Sequence, residues 1–424
     1  MSDHTSDHIS DRTSPRDDPA QTARKWQIRA EALSAALGKE ASQRDRSRTL
    51  AHDEFAALSA SGVLAVTLPV THGGDALNTV ALANIIVTLA KGDSNIAQAL
   101  QPHFCGIEKL RIYGTQAQRA HHFAAVADGA LLTNAAAEKH TAVVGDVSTT
   151  LTRDRQNDRG YRLSGTKAYS TGSLFARHLY ILSNAEDGKR AIAWVPVARE
   201  GLTILDDWDA MGQRTTASGT TRLDDVFVDP EEIMWLPAPG SRRTYEGAFA
   251  QVLHAAIDAG IALAALDDAV IFCRDHARPV PEAGVSRASE DPYALHAVGE
   301  MATLAHGAVA MVERAARILD DAISAFFTYG IATSTPEQAW VERLLAQASV
   351  AVAEAKITSS DAALRVSEML FRVGGASATT SQRNLDRHWR NARTHTTHDP
   401  VAYKARAIGD FYLNGRFPPV TTKI

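Results

Sequence analysis

The chain has 424 residues, of which 45% are hydrophobic and 22% are charged, a balance typical of globular proteins. A formal net charge of −5 argues against a dedicated nucleic-acid-binding protein, and no apolar run approaches the length that spans a membrane. Cys105 and Cys273 are too few for a disulfide framework, so a reducing, cytoplasmic location is expected.

The N-terminal third of the chain has the pattern of a polar tail followed by helices. Residues 1–22 are rich in Ser, Asp, His and Arg and lack the apolar core of a signal peptide, so they predict a disordered tail. In residues 82–89 the apolar side chains recur at i, i+3, i+4 and i+7, the spacing of one helical face. We therefore predict a helical domain over residues 23–129.

The middle of the chain changes to short β-prone runs. Residues 161–169 predict a strand, a turn and a second strand. Further strands are predicted at residues 179–183, 191–195 and 225–228. Several short strands at this spacing indicate a small barrel or sandwich, which we place over residues 130–238.

Long helices return in the C-terminal part, residues 239–424. Alanine-rich segments with apolar stripes, of lengths typical of a helical bundle, occur at residues 249–274, 294–326 and 336–371. Gly374 and Gly375 predict the end of the last segment, because glycine readily adopts the left-handed conformation that ends a helix. Helices, then strands, then helices place the chain in the α+β class.

The most unusual composition lies in residues 385–400. This segment holds three histidines, a tryptophan and three arginines, a density that is costly to bury unless the groups face a ligand or water. His395 and His398 are three residues apart, so a helical turn would bring both imidazoles to one face. Two other interpretations stay open: half of a metal site, for which no third ligand occurs at matching spacing, or structural histidines bonded to backbone carbonyls.

Four other segments resemble the acyl-CoA dehydrogenase superfamily. They are a proline-to-double-glycine turn, a strand that runs along the flavin ring, a G-x-R-x-T-x-S loop and a C-terminal glycine pair, at residues 68–74, 164–172, 208–219 and 373–376. The resemblance implies an N-terminal helical domain, a central small β-barrel domain and a C-terminal four-helix bundle. Residues 385–400 are similar to the two-component, reduced-flavin-dependent monooxygenases, a branch that includes sulfur-acquisition oxidoreductases and dibenzothiophene monooxygenases.

This resemblance implies an oxygenation reaction. A separate NAD(P)H-dependent flavin reductase would supply reduced FMN, expected rather than FAD, which reacts with O2 to form a C4a-hydroperoxide. One oxygen atom would then pass to a small, organosulfur substrate in sulfur acquisition. The resemblance also implies a homo-oligomer, expected to be a homotetramer, in which neighbouring subunits contribute to the flavin site. It requires no metal.

The same resemblance implies a set of catalytic residues. Thr171, with Ser170 beside it, would lie at the flavin N5 and O4 atoms, where a hydroxyl can donate or accept a hydrogen bond. His398 and His395 would face the peroxide, because an imidazole near neutral pKa can both donate a hydrogen bond and transfer a proton. His103 would face the substrate. The alternative for each is ordinary hydrogen bonding within the protein.

Further residues are implied to bind the flavin. Asn134 offers an amide to the pyrimidine edge, and Trp208 would pack beside the dimethylbenzene or substrate side. The set of implied ring contacts is Asn134, Tyr169, Ser170, Thr171, Trp208 and His398. The phosphate candidates carry hydroxyl or guanidinium groups and are Arg278, Ser377 and Arg383. Alternatives are an amide that caps a strand end, an aromatic anchor of the β-domain core, and arginines in surface salt bridges.

Two other functions stay open on the sequence. An FAD-dependent acyl-CoA dehydrogenase needs a carboxylate base beside the substrate α-carbon. Residues 395–398 read His-Thr-Thr-His without a glutamate, although the base could lie on another helix. The other possibility is a non-catalytic flavin-binding accessory protein, which would bind flavin without forming an oxygenated product.

Overall fold

The computed structural model describes residues 18–155, 160–330, 336–421 and 423–424. Residues 1–17, most of the predicted disordered tail, lie outside the described residues. The first helix begins at Pro19, so residues 19–22 belong to the N-terminal helices and not to a tail. Proline suits this position, because the first turn of a helix does not use its missing N–H.

The N-terminal domain is built from α1 Pro19–Ser47, α2 His52–Ser61, α3 Thr79–Gly92, α4 Ser94–Tyr113 and α5 Gln116–Ala127. The predicted apolar stripe of α3 is buried, and Leu82 and Leu89 are wholly inaccessible to solvent. Asn78 caps this helix by accepting a hydrogen bond from Ala81 N–H at 3.0 Å, which satisfies one free donor of the first turn. Because α3 packs against both α1 and α6, it joins this domain to the C-terminal helices.

The central domain is a curled sheet. Its strands are β1 Leu132–Ala135, β2 Thr150–Arg153, β3 Tyr161–Lys167, β4 His178–Ala185, β5 Arg190–Pro196, β6 Leu202–Ile204, β7 Thr221–Val228 and β8 Ile233–Trp235. They pair in the order β6-β7-β3-β2-β4-β5-β8, and β1 runs parallel to β4. Among the described residues this order has two ends, so the sheet is curled without full closure.

Alternate side chains of β4 enter two different cores. Leu179 and Ile181 pack inside the sheet domain, whereas Tyr180 packs with the helices. This follows from the two-residue repeat of a strand, which sends successive side chains to opposite faces. Tyr180 O–H also donates to Pro102 O of α4 at 2.7 Å. One face of the sheet is therefore held against the N-terminal domain.

The prediction of two strands within residues 161–169 is corrected by the structure. Tyr161–Lys167 is one strand, and its pairing with β7 shifts between Leu163 and Gly165 at a bulge. Gly165 has φ of +156°, and a Cβ there would collide with Thr149. A bulge bends a strand without ending its ladder, so this glycine bends the chain and does not reverse it.

The C-terminal domain contains α6 Glu246–Asp275, α7 Pro292–Tyr329, α8 Pro336–Ala378, α9 Arg387–Thr396 and α10 Val401–Asn414. The three predicted long helices are α6, α7 and α8, and α10 packs beside α8 as a fourth member of the bundle. α8 breaks at Gly375, where φ is +60° and ψ is −160°, close to the predicted end. The combination of helical domains and a sheet confirms the α+β class.

One of the described helices, α7, is long and apolar enough to cross a membrane by length and composition alone. An 18-residue window of α7 has a mean hydropathy of 1.2, and 22% of that window is buried. Glu300 and Arg314 lie within α7, so the helix is not an uninterrupted apolar run. Its apolar side chains are partly on the surface, where Tyr293 and Leu295 are exposed.

Candidate active site

Buried polar side chains meet where α4, α6 and α9 approach one another. They are Gln98, His254, Asp258 and His395. His254 and Asp258 are four residues apart, so they share one face of α6. The surrounding part of α6 is apolar and almost entirely buried. Polar groups in such a place are stable only when they bond to each other or to a ligand.

His395 stands at the centre of these contacts. Its Nδ1 lies 2.5 Å from Asp258 Oδ1, and its Nε2 lies 3.1 Å from His254 Nδ1 and 3.0 Å from Gln98 Oε1. Burial lowers the pKa of His395, although the charge of Asp258 opposes this shift. The ring is therefore neutral near pH 7, and its Nδ1–H donates to Asp258.

The other oxygen of Asp258 belongs to a buried ion pair. Lys356 Nζ donates to Asp258 Oδ2 at 2.6 Å, and Ser360 Oγ donates to the same oxygen at 2.8 Å. Both charged side chains are wholly inaccessible to solvent. Burial alone would raise the pKa of Asp258, but Lys356 and His395 hold it well below its usual range. The carboxylate is thus ionised, and its charge is balanced.

His398 occupies the outer end of the group. Its side chain is 50% exposed, and its ring lies against His254 with the centroids 4.5 Å apart. His398 Nδ1 is 3.3 Å from Oδ2 of Asp399, a buried carboxylate that also accepts from Gln251 Nε2 at 2.6 Å. Burial would raise the pKa of Asp399, but the hydrogen bond from His398 lowers it well below its usual range. We call Gln98, His254, Asp258, His395 and His398 the histidine cluster.

The two predicted histidines lie in different surroundings. α9 ends at Thr396, so His398 is in the following turn and does not share a helical face with His395. Both rings nevertheless approach His254, at centroid separations of 4.5 and 5.1 Å. Sequence reasoning missed His254. Its signal was a histidine and an aspartate, His254 and Asp258, one turn apart in the part of the helix from Val252 to Leu266 that is otherwise apolar.

A chain of hydroxyl groups, the hydroxyl chain, lies in the β-domain. Thr171 Oγ1 is 2.8 Å from Ser218 Oγ, which is 2.7 Å from Thr216 Oγ1. Thr216 in turn donates to Gln213 O at 3.0 Å. Thr171 is the half-buried end of the chain. Its hydroxyl can therefore bond a ligand while Ser218 fixes its direction.

Ser170, predicted to act beside Thr171, faces the other way. It is wholly buried, and its Oγ accepts from Thr221 Oγ1 at 2.9 Å inside the sheet. The preceding Tyr169 has φ of +56°, so the backbone turns sharply as the strand ends. This geometry gives Ser170 a structural hydrogen bond and does not support a role in catalysis or flavin binding.

Tyr169 and Trp208 form an aromatic corner next to the hydroxyl chain. Their rings meet edge to face at a centroid distance of 6.0 Å. Trp208 Nε1–H donates at 2.7 Å to Gln213 O, the same oxygen that ends the hydroxyl chain. Gln213 N–H donates to Asn391 Oδ1 of α9 at 2.6 Å. The corner and the hydroxyl chain are therefore fastened to the helix that carries His395.

His103 is a correction to the sequence analysis. Its ring is wholly buried, with Nε2 at 2.8 Å from Leu64 O and Nδ1 accepting from Leu132 N–H at 3.1 Å. Burial lowers its pKa to about 4, so it stays neutral. Because both ring nitrogens are engaged by backbone groups, the ring has no free nitrogen for a substrate. His103 joins α4 to β1.

The remaining flavin candidates lie at the edges of this region. Asn134 is half-buried on β1, and its neighbour Thr133 donates to Thr171 O. Arg278, Ser377 and Arg383 are exposed. Among the described residues they form no hydrogen bond or ion pair with the histidine cluster of the same chain. Their binding to a flavin phosphate, and the contact of Asn134 with the flavin ring, stay predictions.

Buried polar atoms without partners lie next to the hydroxyl chain. Among the described residues, Gln213 Oε1, Arg214 Nε and Thr215 Oγ1 are buried and make no hydrogen bond. Such groups require a partner that the protein does not supply. A flavin ring offers carbonyl and N–H groups along one edge and a flat apolar surface for Tyr169 and Trp208. The residues present therefore fit FMN.

The carboxylates of this region are poor bases. Asp258 is paired with Lys356, and Asp399 lies 3.8 Å from Lys404 Nζ. A carboxylate whose pKa is lowered in this way holds a proton weakly, which is the opposite of what abstraction from carbon needs. Within the described ranges, no group of three His, Cys, Asp or Glu side chains is arranged to hold a metal ion. The groups left for proton transfer are imidazoles.

Comparisons with known proteins identify the family. Residues 24–130 match the acyl-CoA dehydrogenase N-terminal domain, and residues 252–402 match the acyl-CoA dehydrogenase C-terminal domain. Together the two matches cover more than half of the chain. The chain belongs to the acyl-CoA dehydrogenase family. Its predicted fold and superfamily are confirmed.

Relatives of the chain are monooxygenases. Dibenzothiophene monooxygenase of Rhodococcus qingshengii is 32% identical over 390 residues, 89% of this chain and 90% of that protein. The probable FMNH2-dependent monooxygenase SfnC of Pseudomonas putida is 29% identical, over 92% and 95% of the two chains. FMN-bound TdsC from Paenibacillus sp. A11-2 superposes with a TM-score of 0.85 at 30% identity, over 94% of this chain and 100% of its own. The chain is thus an oxidoreductase of the monooxygenase branch.

Proposed function

We propose that this chain is the oxygenase of a two-component system that transfers one oxygen atom from O2 to a small organosulfur compound in sulfur acquisition. A separate NAD(P)H-dependent reductase supplies reduced FMN, which provides the electrons that activate O2. The observation that carries the proposal is the histidine cluster, whose accessible groups are imidazoles while its carboxylate is locked in an ion pair. The names of the relatives support the cofactor and the substrate class.

The positions of the residues support separate roles in the reaction. Thr171 presents the free end of the hydroxyl chain, which suits a hydrogen bond to the edge of a flavin ring. The aromatic corner of Tyr169 and Trp208 supplies an apolar contact for the flavin ring. His398 is half-exposed and its ring packs at a tilt against His254, so it can contact a reactant while this packing is kept. We assign ring orientation to Thr171 and Trp208, and proton handling to His398.

The decisive experiment combines the purified chain with a flavin reductase, NADH, FMN and ¹⁸O2. Dibenzothiophene and dimethyl sulfone serve as a large and a small organosulfur probe. The expected product carries one ¹⁸O atom, detected by mass spectrometry, and its formation depends on a supply of reduced FMN. A reaction without reductase, with chemically reduced FMN, is the matched control and should also give labelled product.

Two results would contradict the proposal. Reduction of a dye by acyl-CoA substrates, without any oxygenated product from the two organosulfur probes, would favour the FAD-dependent dehydrogenase. Tight FMN binding with neither activity would favour the non-catalytic accessory protein. The poor basicity of the ion-paired Asp258 and Asp399 argues against the first of these.

We also propose a cytoplasmic homotetramer. Tyr293 and Leu295 are exposed at the start of α7 and Tyr329 at its end, where a neighbouring subunit could cover them. Cys105 and Cys273 are both free and buried, which fits a reducing compartment. Light scattering should give four times the chain mass of 45.6 kDa. A single-chain mass, or recovery in the membrane fraction, would refute this assembly.

A further inference from the structure

We propose that Asp258 positions the histidine cluster, and that it orders a directed chain of hydrogen bonds through His395 which leaves His254 Nε2 as a proton acceptor of the site in addition to His398. The effect that we expect on activity rests on the proposed function. The effect that we expect on the proton NMR spectrum does not, because that spectrum is recorded on the protein without flavin or substrate.

Charge balance determines the state of His395. Asp258 and Lys356 are wholly buried at 2.6 Å from each other, so their charges already cancel. A protonated His395 would place a second cation on the same carboxylate, away from water, where an unbalanced charge is costly. His395 is therefore the neutral imidazole, with one ring nitrogen protonated and the other bare.

The hydrogen bonds then determine which nitrogen is bare. An ionised carboxylate only accepts, so the 2.5 Å contact with Asp258 requires the hydrogen on His395 Nδ1. His395 Nε2 consequently accepts, and His254 Nδ1, 3.1 Å away, must donate to it. A neutral His254 that donates from Nδ1 carries its lone pair on Nε2. Gln98 must then turn its amide nitrogen toward His395 Nε2, an exchange of two atoms of nearly equal size, and this N–H shares the single lone pair of Nε2 with His254 Nδ1–H.

Burial gives this chain an inner and an outer end. The His398 side chain is 50% exposed, whereas Asp258 is wholly buried, and His254 and His395 lie between them. Within the described part of the chain no hydrogen bond involves His254 Nε2. A proton that reaches this atom from a reactant makes His254 a cation, whose Nδ1–H stays hydrogen-bonded to His395 and, through it, to the carboxylate of Asp258.

Neighbouring charges keep His254 in the accepting form. The titratable and charged groups that face it come from α6, α8, α9 and the turn after α9, and they are Asp258, Lys356, His395, His398 and Asp399. Burial lowers the pKa of His254 well below its usual value, and His398, His395 and Lys356 lower it further against Asp399. Gln98 on α4 is neutral. His254 is thus unprotonated until a reactant delivers the proton.

The spectroscopic test uses the protein without flavin. A hydrogen in a short bond to an anionic acceptor resonates far downfield in the proton NMR spectrum, and the wild type should show this signal for His395 Nδ1–H. The double substitution Asp258→Asn with Lys356→Met should abolish it, because it removes the anion without stranding a buried lysine. Ser360→Ala is the matched control: it removes a bond to the other carboxylate oxygen, so the signal should stay. A signal that survives in the double variant would overturn the role of Asp258.

Two substitutions of His254 replace one or the other ring nitrogen by an amide nitrogen. In His254→Asn the amide nitrogen replaces Nδ1 and nothing replaces Nε2, whereas in His254→Gln the amide nitrogen replaces Nε2. Product formed per NADH should fall at least about tenfold in both variants, with hydrogen peroxide released instead. The downfield signal should persist in His254→Asn and shift in His254→Gln.

If His254→Asn forms as much product per NADH as the wild type, His254 is not a proton acceptor of the reaction. If the wild type forms no oxygenated product from any probe, the proposed function fails. The downfield signal and its response to the Asp258→Asn, Lys356→Met pair would still decide whether Asp258 orders the chain.

Discussion

Two buried lysine–carboxylate pairs serve different purposes in the β-domain and in the helical bundle. In the β-domain, Lys167 Nζ lies 2.6 Å from Glu138 Oε1, and the two side chains are 0% and 1% exposed. In the bundle, Lys356 Nζ lies 2.6 Å from Asp258 Oδ2, and both side chains are wholly buried. The two pairs are nearly the same in length and burial, but they differ in their third partners.

The third partner determines what each pair does. Glu138 also accepts from the backbone N–H and hydroxyl groups of Ser148 and Thr149, so it closes the connection between β1 and β2. Asp258 instead accepts from a ring nitrogen of His395. A backbone N–H is too weakly acidic to act as a general acid near neutral pH, but an imidazole can take up and release a proton there. The lysine–carboxylate pair of the β-domain therefore stabilises the fold. The pair of the bundle holds a negative charge beside a histidine that can transfer a proton.

The largest expected effect is on the β-domain pair. Glu138→Gln leaves Lys167 buried and unpaired, so the free energy of unfolding should fall by roughly 3–5 kcal/mol. Adding Lys167→Met removes the stranded charge and should recover most of this loss. Guanidinium denaturation of the three proteins measures both changes. A single variant as stable as the wild type would show that the pair contributes nothing to the fold.

The next effect concerns the outer end of the histidine cluster. His398→Ala should leave folding and FMN affinity nearly unchanged, because the side chain is half-exposed. Product formed per NADH should fall by about 100-fold, the low end for a positioned acid or base, and hydrogen peroxide should appear. His276→Ala, which removes an exposed histidine at the end of α6, is the control. Normal coupling in His398→Ala would remove this residue from the proposed mechanism.

Acid tests the lysine–carboxylate pair of the β-domain. The pKa of Glu138 is lowered to about 2 by the hydrogen bonds of Lys167 and Ser148, which outweigh the rise caused by burial. Its contribution to stability is therefore complete above the unfolded value of about 4.3 and is lost as the pH falls toward 2. The unfolding free energy of the variant with Glu138→Gln and Lys167→Met should fall less steeply than that of the wild type over this window. If the unfolding free energies of the two proteins fall in parallel as the pH is lowered, the ionised Glu138 does not stabilise the fold.

The smallest effect separates two adjacent hydroxyls. Ser170→Ala breaks the buried bond to Thr221 and should cost about 1 kcal/mol of stability, with coupling unchanged. Thr171→Val should alter stability less but weaken FMN binding and lower product per NADH. Thermal denaturation and flavin fluorescence titration measure the two responses. If Ser170→Ala uncouples the reaction and Thr171→Val does not, our assignment of the two hydroxyls is reversed.

Short-range patterns in the sequence predicted much of this fold. The apolar stripe of residues 82–89 and the three long C-terminal segments appear as α3, α6, α7 and α8, because helical periodicity is a property of neighbouring residues. Gly375 breaks α8 for a local reason too, its positive φ. The bulge at Gly165 was mistaken for a turn, since glycine permits both and only the pairing with β7 distinguishes them.

The site was predicted less completely than the fold. His395 and His398 were found because they stand in a dense polar segment. His254 and Asp258 were missed, because their partner His395 is 141 and 137 residues away in the chain. His103 was overinterpreted for the same reason: Leu64 and Leu132, which occupy its two nitrogens, are distant in sequence.

The amino-acid sequence by itself determined the order of the domains, the positions of the long helices and the segment that carries the exposed imidazole. Each of these depends on residues within a turn or two of one another. Tertiary structure alone decided which carboxylate holds which histidine, which hydroxyl of Ser170 and Thr171 is free, and which histidine is merely structural. The physical reason is that a buried polar group takes its protonation and its role from partners brought together only when the helices and the sheet pack.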